Sequence, residues 1–253
     1  MHRIRSGGLR PPTRAGDGRR YAAMSDAESK GDVCVYCGSA KSLTDDHIPP
    51  KTLFPKPRPS NLITVRSCRK CNEGASKDDE YFRLVITMRY DTGDHPAVQQ
   101  ILPSIYRSLE KPAKKGFQQA LFNNMADMDI VSGGGIYLGT AHGYDVNLAR
   151  LDRVAARIVT GLYYHEFGKR LPSDFHVTAY SADGLNNVEA GVKSRVFSIF
   201  EKITRNPPHI IGDGVFAYWF QQVQDRDTTS AWVLAFYERV GFLAFVTPNS
   251  NAA

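Results

Sequence analysis

The sequence predicts an α+β protein, in which a small cysteine-containing module precedes a larger domain with an antiparallel sheet. Two Cys-x-x-Cys pairs frame the module. The run Gly93-Asp94-His95-Pro96 interrupts the apolar periodicity and indicates a domain boundary. Beyond it, apolar residues recur first at helical spacing and then in alternation, as amphipathic helices and strands require. We therefore expect the module at residues 32–95 and an α+β domain at residues 96–253.

Residues 1–31 are predicted to form a disordered basic tail. They are rich in Gly, Pro, Arg and Ser and lack apolar periodicity. Six Arg and one Asp lie in residues 1–23, so most of the formal net charge of +6 belongs to this segment. Global charge is therefore weak evidence for nucleic-acid binding by the folded part. The alternative for the tail is a basic arm that follows a DNA backbone. A more ordinary segment begins at Met24, which makes Met24 a candidate translation start beside Met1.

Composition also bears on the membrane and the compartment. No run of 18 apolar residues occurs, so we expect no transmembrane helix and no membrane partner. Residues 1–23 have no apolar core of the kind that a secretory signal needs. A cytoplasmic location is the resulting expectation.

Apolar spacing predicts the elements of the larger domain. Helices are expected at residues 98–109, 117–125, 148–162 and 188–203, the first with a kink or restart at Pro103. Residues 130–146 contain three consecutive glycines and are expected to form a hairpin or loop. Strands are expected at residues 175–180, 215–223, 231–237 and 242–247, the last three antiparallel.

The module should contain a short strand at residues 61–66, after a proline-rich loop. A helical stretch begins at Arg69, with Gly74 as a candidate break. Ser76 is then a candidate N-cap, because three acids follow it, and the helix should reach about Tyr90.

The four cysteines predict a structural Zn²⁺ site. A two-residue gap lets one tight turn direct two sulfurs to one cation, and two such turns complete a tetrahedral site. All four coordination positions are then filled by thiolate, so the zinc has no open position for catalysis. Disulfides or unrelated buried thiols are the alternatives, and a cytoplasmic location argues against disulfides. The ligands are Cys34, Cys37, Cys68 and Cys71.

Three further residues have the chemistry of a hydrolytic metal site. A hard divalent ion takes oxygen ligands, which the carboxylate of Asp46 and the amide carbonyl of Asn72 supply. His47 has an ordinary pKa suited to accepting a proton from water at neutral pH. Neighbours in an extended segment point to opposite sides, so Asp46 could hold a metal while His47 reaches a water. Taken alone, a histidine before two prolines is more often an exposed loop residue.

The order of these motifs resembles the HNH endonuclease family, in the variety with a zinc site of two cysteine pairs. Cys-x-x-Cys, Asp-His-Ile-Pro-Pro, Asn-Leu-Ile-Thr-Val and Cys-x-x-Cys-Asn follow one another over about residues 33–90. The resemblance implies a ββα-metal fold, with a hairpin carrying Asp46, His47 and Asn61 and a helix carrying Asn72.

The resemblance also implies a role for each matched residue. Asp46 and Asn72 would hold a catalytic Mg²⁺ or Mn²⁺, and His47 would be the general base. Asn61 would form a hydrogen bond across the loop that holds the backbone of His47.

Cationic residues in the module are candidate contacts to nucleic acid. No acid occurs from His47 to Asn72, and in this family the loop and strand there face the nucleic-acid backbone. The alternative for such a run is a solvated loop. The candidates are Lys51, Lys56, Arg58, Arg66, Arg69, Lys70 and Lys77.

The sequence therefore predicts an endonuclease that hydrolyses phosphodiester bonds in DNA, with RNA not excluded. One site per chain makes a homodimer the route to a concerted double-strand break. The alternative is an inactive zinc-stabilised module that binds nucleic acid or protein. Residues 96–253 would serve target selection or partner binding. Arg150, Arg153 and Arg157 lie on one side of a predicted helix, and we expect a solvated face there in preference to a nucleic-acid contact.

Overall fold

The computed structural model combines α-helices with antiparallel sheets, which confirms the predicted α+β class. The structure describes residues 33–132 and 134–249, so the tail expected at residues 1–31 lies outside the described residues. Each helix in this part of the chain is too short or too polar to cross a lipid bilayer.

A β-hairpin followed by a long helix forms the N-terminal region. Strands β1 (Leu43–Ile48) and β2 (Ile63–Cys68) pair antiparallel, with Asp46 opposite Val65. Helix α1 (Arg69–Thr87) follows β2 without a linker, and Cys68 is its N-cap residue.

Helix α1 differs from its predicted course in two respects. It runs unbroken through Gly74, and the hydroxyl of Ser76 donates to the Glu73 carbonyl inside the helix and caps no helix end. One exposed glycine costs a helix only about 1 kcal/mol. Burial of an apolar face outweighs that cost, and the helix ends at Thr87, short of Tyr90.

Two helices and a hairpin come next. Helix α2 (Pro96–Leu109) contains Pro103 without ending there, and His95 caps it by accepting a hydrogen bond from the Ala97 amide. Helix α3 (Lys115–Asn123) ends before Met125, which was expected to be helical and instead begins a strand. The hairpin expected at residues 130–146 is present and starts earlier than predicted. Its strands are β3 (Met125–Val131) and β4 (Tyr137–Tyr144).

A five-stranded antiparallel sheet packed against helices completes the fold. Helix α4 (Leu148–Phe167) lies on the face that also receives α1, and α5 (Ala190–Thr204) packs on the opposite face. The strands are β5 (Phe175–Ser181), β6 (His209–Ile211), β7 (Phe216–Val223), β8 (Arg226–Phe236) and β9 (Val240–Pro248). Their order in the sheet is β5-β9-β8-β7-β6, with every neighbouring pair antiparallel.

One hydrophobic core extends across the boundary expected at Pro96. Phe82 of α1 lies with its ring centroid 5.2 Å from that of Phe236 and 5.5 Å from that of Phe242, both in the sheet. Residues on both sides of Pro96 belong to the same cluster of buried side chains. Within the described residues, the hydrophobic core is therefore continuous across the domain boundary expected between residues 95 and 96.

Helix α4 approaches strand β1 very closely at Gly161. A Cβ atom at this position would lie 2.7 Å from Cγ1 and 2.8 Å from Cδ1 of Ile48. Glycine permits this approach without displacing Ile48, whereas any larger residue would force the Ile48 side chain to shift. The contact fixes β1, which carries Asp46 and His47, against the core of the larger sheet.

Candidate functional site

The four cysteines converge on one point. Each contributes a sulfur, and all four sulfurs lie within 4.8 Å of one another. The sulfurs of Cys37 and Cys68 are 3.6 Å apart, close to the roughly 3.8 Å expected between ligands of a tetrahedral site with 2.3 Å zinc–sulfur bonds. None of the four cysteines forms a disulfide. This cluster could hold a metal ion such as zinc.

Backbone geometry builds the first half of the cluster. The Gly38 amide donates to the Cys34 carbonyl at 2.8 Å, closing a tight turn around Cys37, and Gly38 has a φ of 75° that favours glycine. Burial raises the pKa of Cys34, but backbone amides of Cys68, Cys37 and Tyr36 outweigh it and lower that pKa to about 6. Cys34 is therefore a thiolate at neutral pH, the form that binds a metal.

The pKa of the fourth cysteine, Cys71, shifts in the opposite direction. Burial and the neighbouring sulfurs raise the pKa of Cys71 well above its usual range. A bound cation would remove this repulsion, because it stabilises every thiolate at once.

A second site lies where β1 faces α1. Its cavity of about 380 Å³ is lined by Asp46 and His47 from the strand and by Asn72 from the helix. Three of the four predicted catalytic residues therefore share one pocket. Other side chains of α1 on the same face line it too: Ser76, Asp79, Glu80 and Arg83.

Asp46 is buried and held by two donors. The Tyr36 hydroxyl donates to its Oδ2 at 3.0 Å, and Arg157 Nη2 donates to the same oxygen at 2.5 Å. Charge-assisted bonds of this kind are stronger than neutral ones. Neither donor occupies Oδ1, so the carboxylate is fixed through one oxygen.

Asn72 is oriented by its amide nitrogen. Nδ2 donates to Thr44 Oγ1 at 3.0 Å and to the Asp45 carbonyl at 3.4 Å, both on β1. The side-chain carbonyl, which is the atom able to bind a cation, is not used in these bonds.

His47 is half-buried, and its imidazole pKa lies below the ordinary value. Burial is the main cause, and the ammonium group of Lys51 adds to it. The ring is therefore neutral at pH 7 and able to accept a proton.

Asp79 is a site residue that the sequence analysis missed. Burial, opposed by Arg157 and reinforced by Asp46, raises its carboxyl pKa to about 6. Its Oδ1 atom is buried and has no hydrogen-bond partner among the described residues. The signal was present in the sequence, since Asp79 and Arg83 follow Asn72 at i+7 and i+11 on one helix face.

Asn61 does not join the pocket. Its Nδ2 donates to the carbonyl of Ile210 at 3.0 Å, and it lines a separate cavity of about 820 Å³. The hairpin register pairs Ile48 with Ile63, so Asn61 lies beyond the last paired position. The hydrogen bond expected to hold His47 is thus replaced by one to β6.

The predicted cationic contacts are dispersed. Only Lys51 among these seven lines the pocket of Asp46. Arg66 pairs with Asp45 at 2.5 Å, and Arg69 lies 3.6 Å from Glu73. Acids that flank residues 47–72 in the sequence therefore neutralise part of the positive charge of this segment. The Arg58 guanidinium donates to the Lys51 carbonyl. The others, Lys56, Lys70 and Lys77, are exposed.

The arginines of α4 do not form the expected solvated face. Arg150 and Arg153 contact Asp78 at 2.7 and 3.1 Å. Arg157 contacts Asp46, and only 15% of its side chain is exposed. These partners lie more than 70 residues away in sequence, which is why helical periodicity could not identify them.

Comparison with family models, curated proteins and solved structures finds no match to this chain. Function is therefore inferred from the chemistry of the two sites themselves.

Proposed function

We propose that this protein is an HNH-type, metal-dependent endonuclease that hydrolyses phosphodiester bonds in DNA. The observation that carries the proposal is the shared pocket of Asp46, His47 and Asn72, built between a β-hairpin and the helix that follows it. A general base and two oxygen donors on one cavity are what metal-assisted phosphodiester hydrolysis needs. The order of the motifs, from the cysteine pairs to Asn72, is that of the family.

Two metals fit the residues present. Zinc in the cysteine cluster would be structural, because four thiolates leave no open position. The donors at the second site are hard oxygens, and Asp79, whose buried Oδ1 has no hydrogen-bond partner among the described residues, lines the same pocket. Mg²⁺ or Mn²⁺ held by Asp46 and Asn72 would stabilise the charge that develops on the phosphate.

The chain's own groups supply the proton chemistry and part of the binding. Neutral His47 takes a proton from a water molecule, whose oxygen bonds to phosphorus as a phosphoester bond breaks. The leaving oxygen takes up a proton from solvent. Lys51 lines the same cavity, and its positive charge favours approach of the anionic backbone.

A cleavage assay tests the proposal. Zinc-loaded protein is incubated with plasmid DNA in Mg²⁺ or Mn²⁺, beside His47→Ala and, as a matched control, His142→Ala, which alters an exposed histidine of β4. We expect His47→Ala to lose at least 100-fold in rate while His142→Ala cuts normally. Undiminished cleavage by a folded His47→Ala protein would remove His47 from the mechanism. A parallel RNA substrate distinguishes the two nucleic acids.

The alternative is a zinc-stabilised binding module without nuclease activity. One observation favours it, namely that Asp46 already has a cationic partner in Arg157. This alternative predicts no effect of divalent ions on DNA binding and no cleavage. It also predicts equal DNA affinity for Asp46→Ala and wild type, whenever the variant remains folded.

A further inference from the structure

Arg157 connects the two elements that carry the proposed metal ligands. It belongs to α4, which contributes no ligand itself. Its Nη2 donates to Asp46 Oδ2 on β1 at 2.5 Å and lies 3.5 Å from the carbonyl of Cys71, the residue before Asn72 on α1. One guanidinium therefore touches the first ligand and the backbone next to the second.

Two further contacts restrict the guanidinium. Its Nη1 lies 3.6 Å from Asp79 Oδ2, and its carbon lies 4.6 Å from the centroid of the Tyr36 ring. Tyr36 also donates to Asp46, so ring, hydroxyl and guanidinium converge on one carboxylate oxygen. A planar group with fixed donors, stacked on a ring and largely buried, has little freedom to move.

We propose that Arg157 is a positioning residue of the nuclease site, which sets the separation and orientation of Asp46 and Asn72. The inference rests on the proposed function. Hydrogen bonds behind a ligand commonly fix its direction and tune metal affinity. Here the supporting group comes from the larger sheet region, so α4 completes a site whose ligands lie on β1 and α1.

Arg153, also on α4, supplies the control. Arg153 binds Asp78, is 60% exposed, and does not line the pocket of Asp46. Its replacement alters the charge of the same helix by the same amount without touching the proposed ligands.

The test measures Mn²⁺ affinity by electron paramagnetic resonance of free Mn²⁺, with cleavage rates measured in parallel. Wild type, Arg157→Met, Arg157→Lys, Arg153→Met and Asp46→Ala are compared at full zinc loading, and circular dichroism checks the fold. Loss of a nearby positive charge alone would tighten Mn²⁺ binding. Positioning predicts the opposite, a weakening of about 10- to 100-fold for Arg157→Met.

The expected order of Mn²⁺ affinity is wild type and Arg153→Met together, then Arg157→Lys, then Arg157→Met. The same order is expected in kcat, with KM for DNA nearly constant. Unchanged Mn²⁺ binding by Arg157→Met would overturn the inference. Tighter binding would also overturn it, because it would show that Arg157 competes with the metal for Asp46. Lysine keeps the charge but has a single nitrogen, so it cannot reproduce both the Nη2 contact to Asp46 and the Nη1 contact to Asp79 in the fixed geometry of a guanidinium.

If Arg157→Met does not fold, the Mn²⁺ affinity of Arg157→Lys tests the inference instead. Weaker Mn²⁺ binding than wild type supports positioning, and equal or tighter binding overturns it. Failure of the proposed function is recognised separately, because wild type would then show no cleavage and no Mn²⁺ binding that Asp46→Ala removes.

Discussion

Asp78 and Asp79 are neighbours on α1, yet their carboxyl pKa values shift in opposite directions. Burial disfavours the Asp78 carboxylate, but hydrogen bonds from Arg150 and Arg153 outweigh this and lower its pKa. Burial dominates at Asp79, where the charge of Arg157 compensates only in part, and the pKa rises to about 6. The ionised form is therefore stabilised at Asp78, which faces α4, and destabilised at Asp79, which lines the pocket.

Asp79→Asn should stabilise the zinc-loaded protein at pH 7.5. The pKa of Asp79 is higher in the folded than in the unfolded state, so the folded protein favours the protonated carboxyl. The resulting contribution to the free energy of unfolding is present below about pH 4 and is lost as pH rises through about 6. A shift from 3.8 to about 6 corresponds to about 2–3 kcal/mol. Urea unfolding at pH 4 and pH 7.5, without Mg²⁺, measures the gain, which should be confined to the higher pH.

Asp78→Asn is the matched control with the opposite sign. Because the pKa of Asp78 is lowered in the folded state, ionised Asp78 increases the free energy of unfolding. This stabilisation is present above the ordinary pKa of 3.8 and is lost as pH falls through the lowered pKa. The variant should therefore be less stable than wild type at pH 7.5. Equal effects of the two substitutions would contradict the assigned environments.

Gly161→Ala should destabilise the protein although alanine is the better helix former. The added methyl group would lie 2.7 Å from Ile48 Cγ1, and forced repacking typically costs about 1–3 kcal/mol. Gly74→Ala in α1 has no atom within 4 Å and should stabilise by up to about 1 kcal/mol. Thermal unfolding of both variants measures this difference in stability. A stabilising effect of Gly161→Ala would show that Ile48 and β1 can move away from α4 at little cost.

If the protein is the zinc-containing nuclease proposed above, removal of zinc from the cysteine cluster should lower the melting temperature and the cleavage rate together. Cys68 occupies the N-cap position of α1 and Cys71 lies in its first turn, so a metal bound to the cluster would fix the helix end that carries Asn72. Losing a structural zinc removes a large part of the folding free energy of a small loop-rich segment. Cys37→Ser, at an exposed ligand, is measured for zinc content, melting temperature and activity. A zinc-free protein with unchanged melting temperature would show that the cluster needs no metal.

Lys51→Ala should weaken DNA binding and reduce its salt dependence by about one unit of slope, because one phosphate contact is lost. Lys51 lines the pocket of Asp46, whereas Arg66 already pairs with Asp45. Arg66→Ala should therefore have a smaller effect. Binding is measured by fluorescence anisotropy at several salt concentrations with catalysis blocked by His47→Ala. A larger effect of Arg66→Ala would instead assign the DNA-binding surface to the outer side of β2.

Local patterns predicted the elements well and the contacts between them poorly. The helix of residues 148–162 and the final three antiparallel strands follow from apolar spacing, and the structure contains them as α4, β7, β8 and β9. Side chains close in sequence, such as Cys34 and Cys37, also meet as expected. Spacing within one segment carries this information because periodicity reflects the direction of each side chain.

Partners far apart in sequence were not predicted. Arg157 contacts Asp46, which lies 111 residues earlier, and Asn61 donates a hydrogen bond to Ile210. Ser76 was misread as a helix cap because three acids after a serine are typical of a helix start. A buried face that continues across Gly74 outweighed that local signal.

The continuous core around Phe82 has a consequence for engineering. A fragment ending near Pro96 would leave Phe82 without the rings of Phe236 and Phe242, and Asp46 without Arg157. Chimeras that graft residues 33–95 onto another scaffold would expose this surface and lose solubility. A chimera that keeps these contacts would instead carry α4 and the sheet together with residues 33–95.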